Sequence, residues 1–293
     1  MQKQIEDILE NSSGMFGVAI KHLQTGEEVV INGDRLFQLA SVFKLPILAT
    51  LFKEVEDQRI SLSDRVELSL DDRVPGSGVL KELDAGTKIT VKDLATLMII
   101  ISDNMATDKL LQLIGKQKIQ SFMKELGFDH LFIQHSCWEL LTLSVGMNPV
   151  PHTKERFEKV STLIEEGKFD PNSSVFKENE QNNVSTVIDL NGLLEKILLR
   201  KGFTEYASNG ILDILLRQQL RQRLPHLLSP SVKIAHKTGT IGGTVNDSGI
   251  IYLPNEQGEL IISVLSTGNT SVEDGAQIIA KIARIAVDYY SQL

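Results

Sequence analysis

A single cysteine, Cys137, stands among 293 residues, so no intrachain disulfide can form and folding does not depend on oxidation. Positive charge is in deficit as well: 30 Lys and Arg against 38 Asp and Glu give a formal charge of -8, with no Lys/Arg-rich run. That balance excludes a general binder of nucleic acid or of anionic membranes, both of which need a basic face. No apolar stretch approaches the roughly 20 residues that span a bilayer. The segment Met1 to Glu10 is polar, with helical spacing of Ile5, Ile8 and Leu9, and lacks the apolar core of a signal peptide. Also missing are a Gly-x-Ser-x-Gly elbow, a phosphate-binding loop and any internal repeat.

What is present describes an ordinary globular protein, 42% hydrophobic and 23% charged, long enough for one large domain or two interleaved ones. Short Val- and Ile-rich runs at Gly17 to Leu23 and Glu28 to Asn32, joined by Gln24-Thr25-Gly26-Glu27, predict a hairpin. Three further runs, Val232 to Ala235, Gly249 to Leu253 and Leu260 to Leu265, predict strands, and Gly275 to Tyr290 a closing helix. Between them the spacing is helical: Ser41 to about Gln58, a capped run after Thr90, Met105 to Ile114, Ile119 to Leu126, Val187 to Leu199 and Ile211 to Leu224. The stretch Phe128 to Asn183 reads as a long loop. With strands only near the two ends, the expected fold is α+β. An antiparallel sheet of about five strands, built from residues 1–40 and 230–293 with terminal helices, carries an inserted helical region, residues 41–229.

The stretch that organises the chain is Ser41-Val42-Phe43-Lys44, just before the apolar run Leu45 to Phe52. Residues three apart share one side of a helix, so the Lys44 amine can stand beside the Ser41 hydroxyl. A serine is a poor nucleophile until its proton is taken, and a lysine takes it only when burial or nearby positive charge has lowered its pKa. Ser-x-x-Lys alone assigns nothing, because Ser121-Phe122-Met123-Lys124 and Ser174-Val175-Phe176-Lys177 repeat it. Ser41 is singled out by Ser102-Asp103-Asn104 and Lys237-Thr238-Gly239 downstream, each present once and in that order.

With these three motifs the chain resembles the serine β-lactamase and penicillin-binding protein superfamily, most closely class A. The resemblance implies a β-lactamase/transpeptidase-like fold and a serine hydrolase that opens β-lactam rings through an acyl-serine. Ser41 would attack the lactam carbonyl, Lys44 accept or relay its proton, and Ser102 pass a proton to the departing nitrogen. Asn104 would hold Lys44 and the substrate amide. Lys237 and Thr238 would bind the substrate carboxylate, Gly239 would let the substrate lie along the strand edge, and the backbone N–H groups of Ser41 and Thr240 would form the oxyanion hole. Class A hydrolysis also needs a glutamate to activate water, and Glu139 in Trp138-Glu139 stands at about the expected distance from Asn104.

Departures from the class A pattern cluster around that glutamate. Leu143 replaces a water-holding asparagine, Cys137 a bracing arginine, and Ser248 the arginine that often precedes Gly249. Same-fold alternatives are an esterase, a D-amino-acid peptidase or a β-lactam-binding protein that acylates and stalls; a non-catalytic sensor domain is a further one. The resemblance implies no metal or organic cofactor, a monomer, and a small β-lactam or acyl-peptide-like partner bearing a carboxylate. It implies a secreted or periplasmic protein if this is a processed form, and a cytoplasmic one if Met1 is the native start. His135, Cys137 and Glu139 alternate as metal ligands might, but with no second cluster a zinc site is not expected. His236, on the strand face opposite Lys237, is expected to pack structurally.

Overall fold

The computed structural model describes residues 1–150 and 152–291. Five antiparallel strands, β1 (Met15–His22), β2 (Glu28–Ile31), β3 (Lys233–Ile241), β4 (Thr244–Tyr252) and β5 (Glu259–Thr267), form one sheet in the order β2-β1-β5-β4-β3. Both chain ends contribute to it, as the distribution of β-branched runs predicts, and the fold is α+β. Its strands read as near-continuous apolar runs because both faces are buried. Phe16, Val18 and Ile20 of β1 pack with Leu260, Ile262 and Val264 of β5 under the terminal helices α1 (Gln2–Glu10) and α10 (Val272–Tyr290). The opposite face carries small groups at Gly17 and Ala19 of β1, where a Cβ on Gly17 would stand 2.5 Å from Phe37 Cε2, and it meets the helical region.

That region is centred on α2 (Lys44–Glu56), every residue of which from Lys44 to Phe52 is buried. A helix apolar on all sides belongs at the middle of a core, and here α3 (Val91–Ile100), α4 (Asn104–Ile114), α5 (Lys116–Glu125) and α9 (Glu205–Leu216) surround it, while α8 (Val187–Leu198) packs between α9 and the sheet. Pro46 is tolerated because it is the third residue of α2, where an N–H has no intrahelical partner to lose. Thr90 caps α3 by accepting from Asp93 N, and Gly115 (φ +90°) ends α4. Two small antiparallel pairs, Phe37–Gln38 with Val184–Ser185 and Arg65–Glu67 with Lys88–Thr90, tie the connections down.

Three expectations need correction. Residues 128–183 are not a long loop: they hold α6 (Cys137–Ser144), α7 (Lys154–Glu165) and a 3₁₀ turn, Ser174–Phe176. Both helices are announced by caps and not by periodicity, Ser136 accepting from Glu139 N and Thr153 from Arg156 N, and α7 buries only Val160. The helix expected over Ile211 to Leu224 is α9, capped by Thr204 and ending at Leu216; Gln218 then bonds Ile99 O and turns the chain into the core. Finally, the strand expected over Val232 to Ala235 is longer and takes in Lys237-Thr238-Gly239. Strand β3 continues through it to Ile241, its polar residues buried against the segment that carries Ser41.

Candidate active site

Ser41 lies not in α2 but in a 3₁₀ turn, Ala40–Phe43, that feeds directly into it. The motif therefore spans a junction, with the hydroxyl residue in the turn and the amine at the first position of the helix. Ala40 is held at φ +44°, a region that L side chains rarely occupy. The residues around it enforce this: Gln38 Oε1 accepts from Ala40 N (3.1 Å), while Asn246 Nδ2 donates to Gln38 O (2.8 Å) and Leu39 O (3.0 Å). Strand β3 presses on the turn so closely that a Cβ at Gly239 would stand 2.7 Å from Leu39 O and 3.0 Å from Ser41 N. Gly239 is thus required by the packing of strand against nucleophile, a different reason from the one expected.

Ser102, at the junction of α3 and α4, also has a left-handed backbone (φ +59°). Asp103 fixes this corner as the N-cap of α4, accepting from Ala106 N (2.9 Å) while its other oxygen accepts from Val79 N (2.7 Å) and Leu80 N (2.9 Å). Both ends of Ser102 then meet Lys44, whose Nζ lies 2.8 Å from Ser102 O, 3.0 Å from Ser102 Oγ and 2.8 Å from Asn104 Oδ1. From the other side Lys237 Nζ reaches Ser102 Oγ at 3.1 Å and Thr238 O at 2.7 Å. One hydroxyl therefore joins two lysines, each completely buried.

Burial penalises an ammonium ion, so both amines are lowered from the usual lysine range. Lys237 is lowered far, first by burial and then by the charge of Lys44. Three acceptor-type neighbours around Lys44 suit either protonation state. As a neutral amine it keeps two N–H donors for Ser102 O and Asn104 Oδ1, and its lone pair faces the Ser102 hydroxyl proton. This is a ready path for moving a proton between the two lysines.

Ser41 opens into a cavity of about 270 Å³, lined also by Asn104, Cys137, Leu140, Leu141 and Thr240. Cys137, Leu140 and Leu141 come from α6, and their i, i+3, i+4 spacing places them on one face. Glu139 is not brought there. It points to the other side of α6, where it closes a capping box with Ser136 N (2.7 Å) and pairs with Lys116 (2.6 Å). It lines a separate cavity of about 310 Å³ with Asp72, Asp108 and His152. Burial alone would raise its pKa, but the Lys116 and Ser136 bonds outweigh this and hold the carboxyl below its ordinary value. Among the described residues no Asp or Glu lines the Ser41 cavity. Cys137 is buried and its thiol is pushed up, away from the reactive thiolate.

Two further side chains escaped the sequence reading. Asp108, one turn beyond Asn104, accepts from Cys137 N (2.6 Å) and Trp138 N (2.9 Å), so it holds the first turn of α6 to α4; burial pushes its carboxyl up to about 6. Arg223 extends a buried guanidinium from the turn after α9 to Gly239 O, Asn246 O and the Thr240 hydroxyl. Gly239 and Thr240 directly follow Lys237 and Thr238, the residues expected to bind a carboxylate, and Ser248, where an arginine was missed, is instead bonded to Ser263 Oγ at 2.6 Å. His236 packs structurally as expected, its Nδ1 2.9 Å from Asp247 Oδ1, and Asp247 Oδ2 accepts from Leu224 N (3.1 Å), the neighbour of Arg223. In the sequence Arg223 falls inside the run expected to be helical, Ile211 to Leu224, and nothing there sets it apart.

A serine in a tight turn, a buried lysine at a helix start, a bridging serine and a second lysine on an edge strand define the class: a scaffold of the serine β-lactamase and penicillin-binding type. Residues 1–290 match the Beta-lactamase enzyme family, and the chain belongs to that family. It is 26% identical to β-lactamase VEB-1 of Pseudomonas aeruginosa, covering 98% of this chain and 89% of that protein. It is 24% identical to the β-lactamase regulatory protein BlaB of Streptomyces cacaoi, covering 96% and 95%. Among solved structures, a β-lactamase from Sphaerobacter thermophilus superposes with a TM-score of 0.81 at 25% identity over 100% of this chain and 98% of that one. PBP-A superposes with 0.80 at 24% over 100% and 96%, and a variant of it was solved as an acyl-enzyme complex with penicillin G.

Proposed function

We propose that this protein is a serine hydrolase-type enzyme that β-lactams, or acyl-peptide-like substrates bearing a carboxylate, acylate at Ser41, and that it releases the acyl group slowly. The observation that carries the reading is the Ser102 hydroxyl held between two buried lysines beside the Ser41 turn. Lys44, whose pKa burial lowers, takes the Ser41 proton as Oγ attacks the carbonyl. The proton passes through Ser102 to the departing nitrogen, while the developing oxyanion is received by the backbone N–H groups of Ser41 and Thr240. Lys237, Thr238 and Arg223 hold the carboxylate, and Asn104 keeps Lys44 in place.

Release of the acyl group needs water and a base. The α6 face turned to Ser41 offers Cys137, Leu140 and Leu141, none of which accepts a proton at neutral pH, whereas Glu139 is tied to Lys116 across the helix. An acyl-serine formed here therefore outlives its formation. Relatives that include both β-lactamases and a protein named for regulation are compatible with this division between fast attack and slow release. Intact-mass analysis after mixing with penicillin G, with nitrocefin turnover in parallel, tests it. The expected result is a stoichiometric adduct on Ser41 that decays over many minutes with weak turnover. Rapid turnover with no detectable adduct would identify an efficient β-lactamase, and no adduct at all would remove the acyl-serine reading.

A further inference from the structure

His236 and Asp247 lie on the face of the sheet turned away from Ser41, and neither takes part in the proton path through Ser102. Successive residues of a strand point to opposite faces, so His236 leaves β3 on the side away from Lys237. Ile234 of β3 and Val245 and Ile251 of β4 share that face, packed in the cluster under the terminal helices. In the ladder His236 is paired with Gly249, where a Cβ would stand 2.5 Å from His236 Cβ, and Asp247, two residues back along β4, is its diagonal neighbour. The His236 Nδ1 atom meets Asp247 Oδ1 at 2.9 Å and Oδ2 at 3.1 Å, and both side chains are completely buried.

Asp247 has a second task. Its Oδ2 accepts from Leu224 N at 3.1 Å, which ties the turn after α9 to β4 at the residue immediately following Arg223. The Arg223 guanidinium reaches Gly239 O at 2.7 Å, and also Asn246 O and the Thr240 hydroxyl. The arginine is therefore held at both ends, its backbone by way of Asp247 and its guanidinium by β3 and β4. Burial works against the guanidinium charge, and the Asp247 carboxylate favours it. A side chain with so many rotatable bonds recognises a carboxylate well only when it is ordered beforehand.

Resting on the carboxylate role given to Arg223 above, we propose that Asp247 and His236 are positioning residues for that guanidinium. His236 holds the Asp247 carboxylate, Asp247 holds the backbone beside Arg223, and the guanidinium is thereby set at the height of the substrate carboxylate. The pair acts through the sheet and touches no substrate atom; neither residue lines the Ser41 cavity.

The test compares penicillin G with its methyl ester, by intact-mass acylation rates and by calorimetric dissociation constants in Ser41→Ala, which cannot be acylated. In both readouts Asp247→Ala should cut the preference for acid over ester about 10-fold, and Asp247→Asn, which keeps an acceptor for Leu224 N, should restore most of it. In an Arg223→Ala background Asp247→Ala should have no further effect on the preference, because the group it positions is gone. If Asp247→Ala folds poorly, His236→Leu serves, with a loss of about 3-fold expected, and His236→Asn should recover it because its amide can stand where Nδ1 stands. An unchanged preference, equal losses for acid and ester, or a loss that persists without Arg223 would overturn the proposal. A preference that Arg223→Ala leaves intact would remove the arginine's role and the proposal with it. Absence of any adduct in the parent would overturn the acyl-serine reading, while the Ser41→Ala titrations would still decide the positioning.

Discussion

The seam between α2, α4 and β3 and the wall formed by α6 face each other across one cavity, yet they are built on opposite principles. In the seam, Lys44, Ser102, Asn104 and Lys237 are all buried and almost every polar atom has a named partner. In the wall, the face toward Ser41 is a thiol and two leucines, and the acidic residue of the same helix is spent on a cap and an ion pair. On the proposed function, the first side would make an acyl-serine and the second would not hydrolyse it.

The sharpest way to break this contrast is at the seam. Lys44→Ala should lower the acylation rate on the order of 10³-fold, because it removes the proton acceptor and leaves Asn104 Oδ1 and Ser102 O unpaired; an unchanged rate by stopped-flow would detach the lysine from the chemistry. In the parent, that rate should climb with pH through an apparent value below that of an ordinary lysine, as the lowered Lys44 amine loses its proton. A smaller effect belongs to Arg223→Ala, with acylation by carboxylate-bearing β-lactams falling roughly 10- to 100-fold, about 1.4 to 3 kcal/mol. A methyl ester of the same compound should lose much less, and equal losses would mean that the guanidinium only supports β3.

Asp108 gives an effect on stability. Its folded pKa, about 6, lies above the unfolded value of about 3.9, so the native state holds this proton more tightly. The contribution is fully present below about pH 4 and is lost as pH rises through 6, to the extent of about 3 kcal/mol. In urea melts the parent should lose stability across that window relative to Asp108→Asn, and parallel curves for the two would refute the assignment. The smallest effect is expected at Glu139. Glu139→Gln should leave the acyl-enzyme lifetime within about twofold while costing about 1 kcal/mol through the cap and the Lys116 pair. A lifetime lengthened tenfold would return Glu139 to the cleft as the water base.

The attacking half was legible in the sequence because its chemistry is written in short ordered motifs, and the sheet because its strands are buried on both faces and read as β-branched runs. Glu139 misled because distance along the chain was taken for position in space. On a helix one residue rotates the side chain by about 100°, which is enough to move a carboxylate from one cavity to its neighbour. Helix α7 was hidden by a polar surface with a single buried valine, and Arg223 by a helical run expected to extend to Leu224 that in fact ends at Leu216. Gly239 was expected to be small to make room for substrate, and the packing of Leu39 and Ser41 against it already leaves no room for a side chain.

That contact has a mechanical consequence. Strand β3 and the Ser41 turn touch backbone to backbone with no side chain to cushion them. A methyl group added at Gly239 would therefore have to part strand from turn, and the backbone N–H of Ser41 would shift with it.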